Sequence, residues 1–567
     1  MAFAPRHYLA GGGLAGGALR EGGRPARILL IGSREDILKK PAAGGLAALL
    51  STTALLLGTV TATPAMAASS SGRTLIIDHS FTLVTADPGH MYEEDGNLVD
   101  DAMYDTLDTY SANSLKTLVP QLATSYDTLD GGRKFVFHLN PAAKFSDGSP
   151  VTAADVAWSL TRMVNLKGNP AFLLAGETIT ATGPETVTMT SSAPNPALPY
   201  ILADPSCGVL NMKVVEAHGG TDAANASTKD TAENWLNDNS AGSGPYIMKS
   251  WSTTSQVVLV ANPNYWGPAP AYSTVVLRNT ATAAIERLDV QRGTNEIALD
   301  LDPSQSTGMS NVQIHSGAGP NVMFLFANDN PKISTVTSNH DFQEALRYGI
   351  DYAGLLQLAG TGAVQSPGVI PTILLGALPA SADAKYDLAQ AKSWLAKSGV
   401  GHPSLKLTYP TGLTANGLSF DDTAARLEQY LNQIGLNVTL QPQSIQVGLQ
   451  SYRAGTEALG LWYWGPDYAD PQDYLAFAPG HLVGLRAGWT ATDSAANAPA
   501  VVALANKAAA TTGVAARQAV YEQFQNAMNK YGPFIPLIQP AVVIVGTKNI
   551  QDLQANAVWL VNIRNLR

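Results

Sequence analysis

The chain has 567 residues, 45% of them hydrophobic and 14% charged, which is typical of a globular protein with several domains. Its 35 basic and 45 acidic side chains give a net charge of −10, which argues against a nucleic-acid groove as the main binding surface. The low charged fraction excludes a coiled coil, and the single cysteine, Cys207, excludes an intramolecular disulfide and a multi-cysteine metal site.

The first 67 residues have the features of a secretory signal. Arg34 and two lysines precede an apolar stretch at 44–60, and Ala65-Met66-Ala67 follows it as a small-residue cleavage site. We expect cleavage near Ala67. The alternative is an uncleaved membrane anchor, for which about 17 residues diluted by Ser and Thr are marginal. No cysteine follows the apolar stretch, so no lipid anchor is expected, and the remaining 28 basic and 42 acidic side chains give a net charge of −14.

The first part of the mature chain predicts mixed secondary structure. Arg73–Ile77 has the composition of a strand, and Arg133–Leu139 alternates apolar and polar residues after a Gly-rich turn. Thr152 and Asp155 have capping-box spacing, which predicts the start of a helix. Residues 165–240 predict short strands and turns because Pro and Asn interrupt them repeatedly.

The second part of the chain is more regular. Asp341 and Asp387 are the predicted N-caps of two helices. Ser404–Tyr409, Phe420–Ile434 and Leu436–Leu440 predict a strand, a helix and a strand. Such a βαβ unit has parallel strands joined by a right-handed crossover, so the chain is predicted to be an α/β protein.

Aromatic side chains and two carboxylates crowd one stretch near the C-terminal end of a predicted strand. Trp462 and Trp464 share one face of that strand, and Tyr463 points to the other. Asp467 and Asp470 follow in a turn, at the strand end where open α/β sheets bind ligands. A carboxylate beside aromatic rings suits an ammonium ion. The alternative is a strand of core aromatics that ends in an Asp-rich turn.

The sequence also offers candidates for catalysis. Asp467 and Asp470 are the candidate acid and base of a secreted glycoside hydrolase. The motifs of serine hydrolases, zinc peptidases and phosphate-binding loops do not occur, and the nine histidines lack metal-ligand spacing, so neither a metal nor a cofactor is expected. A second acidic run, Tyr92-Glu93-Glu94, is either a solvated surface or one wall of a negatively charged cleft.

Several motifs, taken together in their order, resemble the periplasmic solute-binding proteins of ABC importers, in the dipeptide-, oligopeptide- and nickel-binding group (family 5). They cover nearly the whole mature chain and comprise Asp87-Pro88, Tyr104–Leu107, Lys144–Val156, Gly242–Tyr246, Asn262–Gly267, Phe342–Asp351 and Trp464–Pro471. Each motif is weakly specific, but the ordered set is highly specific.

The resemblance implies a bilobal periplasmic-binding-protein clamp of the type II-like α/β class, with an extra third lobe. Two crossing strands near Val322–Asn328 and Phe534–Gln539 would form its hinge. The implied division of the chain is 68–108, 228–325 and 530–567 for lobe I, 109–227 for lobe II and 326–529 for lobe III.

The resemblance further implies an exported receptor without enzymatic activity. It would capture a short peptide in the periplasm and deliver it, as a monomer, to the ABC permease subunits of the inner membrane. Because members of this family also bind nickel chelates, oligosaccharides, opines and glutathione, an oligosaccharide or a metal chelate is the alternative ligand.

Residue by residue, the resemblance marks three places. Asp467 matches a position that pairs with the α-ammonium of the ligand, Trp464 matches a pocket-lining tryptophan, and Tyr92–Glu94 matches a stretch that lies along the peptide backbone. The candidate ligand-binding residues are therefore Asp467, Trp464, Trp462, Tyr92, Glu93 and Glu94.

Overall fold

The computed structural model describes residues 72–111, 114–493, 497–556 and 558–567, all within one compact unit. The predicted signal sequence, with its cleavage site near Ala67, lies outside the described residues. Within them, none of the helices combines the length and the hydropathy that a bilayer crossing requires.

The strands contribute to one large sheet of seven strands, one of six, one of four and several two-stranded ribbons. Their bounds are β1 Thr74–His79, β2 Asp108–Ser111, β3 Ser114–Pro120, β4 Ala123–Leu129, β5 Lys134–Leu139, β6 Thr178–Gly183, β7 Thr186–Thr190, β8 Tyr246–Ser250, β9 Gln256–Ala261, β10 Thr274–Asn279, β11 Glu296–Ala298, β12 Val312–Ala318, β13 Val322–Ala327, β14 Val364–Gln365, β15 Ser404–Pro410, β16 Thr414–Ala415, β17 Leu418–Ser419, β18 Asn437–Gln443, β19 Leu459–Trp464, β20 Phe534–Gln539, β21 Ala541–Thr547, β22 Ala555–Asn556 and β23 Leu560–Val561.

The helices cover these sheets, and short 3-10 turns connect several of them. The α-helices are α1 Glu94–Met103, α2 Ala153–Leu166, α3 Leu198–Ile201, α4 Met212–Ala217, α5 Ala226–Lys229, α6 Glu233–Asp238, α7 Ala283–Arg292, α8 Pro303–Ser306, α9 His340–Gly349, α10 Tyr352–Ala359, α11 Leu388–Ser398, α12 Phe420–Gln433, α13 Ile445–Arg453, α14 Leu482–Arg486, α15 Ala498–Ala510 and α16 Val514–Tyr531.

The seven-stranded sheet has the order β12-β21-β11-β1-β10-β9-β8. Its β1 runs parallel to β10 and β11, and the remaining pairs are antiparallel. Leu98 and Ala102 of α1 pack with Leu75 and Ile77 of β1 in one core. This packing fixes α1, and therefore the Tyr92–Glu94 segment that precedes and begins it, on the seven-stranded sheet.

The six-stranded sheet has the order β14-β20-β13-β19-β15-β18. Its central strand β13 is buried along its whole length between β19 and β20, which both run antiparallel to it. β15 and β18 pair in parallel on either side of α12 in the chain, which confirms the predicted βαβ unit. The sheet therefore presents the C-terminal end of β19, which carries the aromatic run, beside its most buried strand.

The four-stranded sheet is antiparallel, with the order β4-β5-β7-β6. Phe137 of β5 and Val187 of β7 are buried against Val156 and Leu160 of α2. The alternation predicted for Arg133–Leu139 is confirmed, since β5 buries every second residue. Together the three sheets and their covering helices confirm a mixed α/β fold.

Two short connections join the seven-stranded and six-stranded sheets. Residues 319–321 lead from β12 into β13, and Pro540 leads from β20 into β21. The Gly319 amide donates to the Pro540 carbonyl at 2.9 Å, and Gln539 Nε2 donates to the Gly319 carbonyl at 2.9 Å. A Cβ on Gly319 would lie 2.6 Å from the Pro540 carbonyl oxygen, so the close approach requires glycine.

The strands predicted as the hinge are therefore neighbours inside the six-stranded sheet. The actual changes of sheet lie just outside them, at 319–321 and at Pro540. Paired central strands are stiffer than short connections because their backbone groups are fixed by the ladder. The residue boundaries of the three lobes stay a prediction.

Local predictions were confirmed at Thr152 and Asp387 and wrong at Asp341. Thr152 and Asp155 form the predicted capping box, and the Asp387 side chain accepts from the amide of Gln390. Asn339 caps α9, because its side chain accepts from the amide of Phe342 at 3.1 Å and the helix starts earlier than predicted.

The prediction of only short strands and turns over 165–240 was wrong in part. Besides β6 and β7, this segment contains the short helices α3 to α6. The residues that suggested turns also start helices: Pro199 lies in the first turn of α3, and the Asn211 side chain caps α4.

A buried ion-pair network attaches α2 to the segments around it. Arg162 donates to both oxygens of Asp87, at 2.8 and 2.6 Å, and to both oxygens of Asp230, at 2.7 and 3.0 Å. The side chains of Arg162 and Asp87 are fully buried. Arg162, from the helix that covers the four-stranded sheet, thus joins a loop that packs on the seven-stranded sheet to the start of α6.

We expect Arg162→Met to lower the free energy of unfolding by roughly 3–5 kcal/mol, because Asp87 and Asp230 would remain buried without a cation. Denaturant unfolding followed by circular dichroism measures this change.

Lys397→Met is the matched control, because it also removes a cation from a carboxylate, Asp341, but at the surface. We expect it to cost less than about 1 kcal/mol. Equal losses in the two variants would contradict a stabilising role specific to the buried network.

Candidate functional site

The aromatic run lies on β19 with the predicted alternation. Trp462 and Trp464 belong to one apolar core, whereas Tyr463 packs on the opposite face of the sheet, with its ring 5.7 Å from that of Phe420. The strand ends at Trp464, and the turn that follows contains Asp467.

Trp462 is an integral part of the core. It is 3% exposed, its ring stacks on Tyr452 with centroids 4.7 Å apart, and its Nε1 donates to Glu457 at 2.9 Å. Both its face and its polar atom are engaged by the protein itself. This placement fits the alternative interpretation of the aromatic run as core, as far as Trp462 is concerned.

Trp464 and Asp467 share a partner that the sequence analysis did not identify. Asp473 Oδ2 accepts from Trp464 Nε1 at 3.2 Å and from the Asp467 amide at 3.0 Å. One carboxylate therefore fixes both the indole and the start of the turn. The available sequence signal was the three-residue spacing of Asp467, Asp470 and Asp473 in a Pro-containing turn.

The structure brings Tyr92 and Asp467 together. The Tyr92 hydroxyl donates to the main-chain carbonyl of Asp467 at 2.6 Å, although the two residues are 375 positions apart. Phe172 supports the Tyr92 ring edge to face, with centroids 5.4 Å apart. Tyr92, which precedes α1 and packs in the core of the four-stranded sheet, thus touches the turn after β19 of the six-stranded sheet.

Glu93 and Glu94 lie at the start of α1. Glu93 is its N-cap residue, and its carboxylate accepts from the Tyr92 amide at 3.2 Å. Glu94 lies in the first helical turn, where backbone N–H groups have no partner within the helix. Two contacts hold this end of the helix in place: Asp95 with His79 at 2.6 Å, and Asn97 with the Val558 carbonyl at 3.0 Å.

Two further contacts accompany the Tyr92–Asp467 bond. Gln472 Nε2 donates to Asn195 Oδ1 at 3.2 Å, and the Arg517 guanidinium lies 5.7 Å from the centre of the Tyr200 ring. We call the Tyr92–Asp467 and Gln472–Asn195 hydrogen bonds the bridge. The bridge joins the segment after β19 to the residue before α1 and to the segment that follows β7 of the four-stranded sheet.

Asp470 has a structural environment. It is fully buried, its Oδ1 accepts from Arg517 at 2.5 Å and from the Gln472 amide at 2.9 Å, and it caps the 3-10 helix Pro471–Phe477. Burial raises the pKa of Asp470, although Arg517 opposes this. A fully buried carboxylate engaged in this way fits a helix cap rather than the acid or base of a hydrolase.

A buried carboxylate without partners lies close to this region. Neither oxygen of Asp100 in α1 has a hydrogen-bond partner, and the residue is fully buried. Burial raises the pKa of Asp100 well above its usual value, and the charges of Asp87, Glu93 and Asp204 raise it further. Burial and the neighbouring charges therefore both favour the protonated form of Asp100 over the carboxylate.

One group of carboxylates in the described ranges is close enough to hold a metal ion: Asp78, Asp289 and Glu296. The Arg278 guanidinium binds all three, at 2.5, 2.9 and 2.6 Å. An arginine therefore already binds the carboxylates that would otherwise be candidate metal ligands.

The profile of the bacterial extracellular solute-binding proteins, family 5, matches residues 117–480. Among curated proteins, the chain is 27% identical over 441 residues to the probable D,D-dipeptide-binding periplasmic protein DdpA of Escherichia coli, which covers 77% of this chain and 82% of that protein.

Solved structures share the fold at low sequence identity. The ABC transporter substrate-binding protein CtaP of Listeria monocytogenes gives a TM-score of 0.74 at 18% identity, over 87% of this chain and 99% of that chain. The periplasmic binding protein DppA of Helicobacter pylori, in complex with the peptide STSA, gives 0.63 at 18% identity, over 87% and 98%.

Tyr92→Phe removes the hydroxyl of the bridge while keeping the ring against Phe172. We expect a loss of about 0.5–1.5 kcal/mol in the free energy of unfolding, the usual contribution of one neutral hydrogen bond. We also expect a larger radius of gyration by small-angle X-ray scattering, since one tie between two parts of the molecule is lost.

Tyr352→Phe is the matched control, because its hydroxyl donates at 3.1 Å to the carbonyl of Arg347. Both residues lie on neighbouring helices, α10 and α9, away from the turn after β19, so the radius of gyration should not change. An increase of the same size in both variants would argue against the bridge as a tie.

Asp100→Asn tests the buried carboxylate. A pKa that is raised in the folded protein stabilises it at low pH, and this stability is lost as the pH rises above about 4, the unfolded value. We therefore expect Asp100→Asn to raise the free energy of unfolding by about 1–3 kcal/mol at pH 8 and to change it little at pH 4.

Denaturant unfolding at both pH values measures the effect, with Asp238→Asn, an exposed position at the end of α6, as the control. The same gain at pH 4 and pH 8 would contradict a raised pKa of Asp100.

Proposed function

Since the chain belongs to family 5 of the bacterial extracellular solute-binding proteins, we propose that it captures short peptides and delivers them to the permease of an ABC importer. Its family consists of binding proteins of transporters, not of enzymes. The relative DdpA is named for a dipeptide, and the structural neighbour DppA holds a peptide, which supports a peptide as the solute.

One observation carries the proposal: Tyr92 and Asp467 meet at the bridge. These residues come from the two sides that the Gly319–Asn321 and Pro540 connections join. A solute that enters between them would contact both sides at once. Such a solute would favour the arrangement in which the two sides are close, because only that arrangement offers it both sets of contacts.

The groups at the bridge suit the ends and the backbone of a peptide. The half-buried Asp467 carboxylate would bind the α-ammonium, and Asp473 holds its turn in place. The extended backbone of Glu93 and the N–H groups of the first turn of α1 would bind main-chain carbonyls. In this proposal Trp464 lines the site, and Trp462 supports the strand β19 that carries Trp464.

The receptor would do no bond chemistry. Ligand binding would shift the protein toward one relative position of its two sides, and the permease would recognise that position. We further propose that the protein is exported to the periplasm, is released by cleavage near Ala67 without a lipid anchor, and acts as a monomer. An oligosaccharide or a metal chelate is the alternative solute, and the tests below include both.

A thermal-shift screen with dipeptides, longer peptides, cello-oligomers and nickel–histidine tests the solute class. A ligand at 100 times its Kd should raise the free energy of unfolding by about 2.7 kcal/mol. We expect this shift with a free-amine peptide. A shift only with cello-oligomers or only with nickel–histidine would contradict a peptide receptor, and turnover of a cello-oligomer would favour a hydrolase.

Asp467→Asn tests the ammonium contact. We expect calorimetry to show a Kd at least tenfold weaker for a free-amine peptide, a loss of about 1.4 kcal/mol, because the charge that balances the ammonium is gone. The same peptide with an acetylated N-terminus is the control, since it has no ammonium and should bind both proteins alike. Equal Kd values of the free peptide for both proteins would refute the contact.

A further inference from the structure

A cavity of about 360 Å³ lies in the part of the molecule built on the six-stranded sheet. α9 and α10 form one wall, the loop at 382–385 a second, and Ile535 and Pro536 of β20 a third. The volume is at the lower end of the range for small-molecule sites, about 300–1,000 Å³. None of the lining residues belongs to the bridge.

One charged side chain of the cavity is already engaged by the protein. Arg347 donates to the carbonyls of Phe534, at 2.8 Å, and Gly532, and to Glu344 at 3.2 Å. It is buried, and the Tyr352 hydroxyl donates to its carbonyl at 3.1 Å. Arg347 therefore attaches α9 to the start of β20, and Glu344 balances its charge.

Two opposite charges of the cavity are not engaged in this way. Asp383 Oδ1 is buried and has no hydrogen-bond partner. The Lys385 side chain is exposed and makes no ion pair or hydrogen bond with another described residue. Although they are two residues apart and line the same cavity, they do not pair with each other within 4.0 Å.

Burial raises the pKa of the Asp383 carboxyl. A cation at this carboxylate would offset that cost, because an opposite charge favours the ionised form. A buried acceptor without a partner is costly, and a ligand that donates to it recovers that cost. The Asp383 end of the cavity therefore favours a donor that carries positive charge.

We propose that this cavity binds a small zwitterion of the α-amino acid class, with its ammonium at Asp383 and its carboxylate at Lys385. An aliphatic side chain would lie against Ile535 and Pro536, the apolar wall formed by β20. This site is additional to the proposed peptide site, and it does not depend on it. It borders β20, the strand that leads through Pro540 into the seven-stranded sheet.

Isothermal titration calorimetry with L-leucine on the whole mature chain tests the proposal. We expect L-leucine to bind the unaltered protein. Asp383→Asn and Lys385→Gln should each weaken the Kd at least tenfold, because each removes one charge contact. N-acetyl-L-leucine, which lacks the ammonium, and L-leucinamide, which lacks the carboxylate, should bind at least tenfold more weakly than L-leucine.

Lys392→Gln is the matched control, since Lys392 is exposed on α11 and does not line the cavity. Its Kd for L-leucine should equal that of the unaltered protein, as should that of Asp467→Asn. Loss of L-leucine binding in Asp467→Asn, with unchanged binding in Asp383→Asn, would place the amino acid at the bridge and overturn the proposal. So would the absence of any heat from L-leucine at about 10 mM.

Discussion

The relative position of the two large sheets depends on the short double connection between them. Gly319 and Pro540 lie side by side, joined by a main-chain hydrogen bond, so both passages of the chain between the two sheets lie at one narrow crossing. Short connections of this kind are where hinge rotations occur in proteins, because a few changes in backbone angles there move a whole side of the molecule. Tyr92 and Asp467 lie on opposite sides of this crossing, so their hydrogen bond spans the space between the two sides.

Arginines attach distant segments to one another within each side. Arg162, Arg347 and Arg517, which are buried, and the partly exposed Arg278 each bind carboxylates or carbonyls from distant parts of the chain. In a chain with only 14% charged residues, these charges are concentrated where segments must be attached to one another. Firm sides joined by a short crossing suit a receptor, because solute binding then changes mainly the relative position of the two sides.

The sequence predicted what is local and repetitive. The Thr152 capping box, the alternation of β5 and the parallel pair of β15 and β18 depend on neighbours in the chain, and the structure confirms them. The contact of Tyr92 with Asp467 and the role of Asp473 depend on where distant segments meet, which no local pattern encodes. For the same reason the interpretation of Trp462 was open: its stacking on Tyr452 is a tertiary contact, and a strand pattern alone does not distinguish a core ring from a binding surface.

The Tyr92 hydroxyl has a kinetic consequence. A solute that needs the space between Tyr92 and the Asp467 carbonyl must wait until this hydrogen bond is broken. If only a fraction of the molecules has the two groups apart at any moment, the apparent association rate falls by that fraction, while the departure of a bound solute is set by its own contacts. A tyrosine at this position would thus slow the loading of every solute by the same fraction and leave the release of a bound solute unchanged.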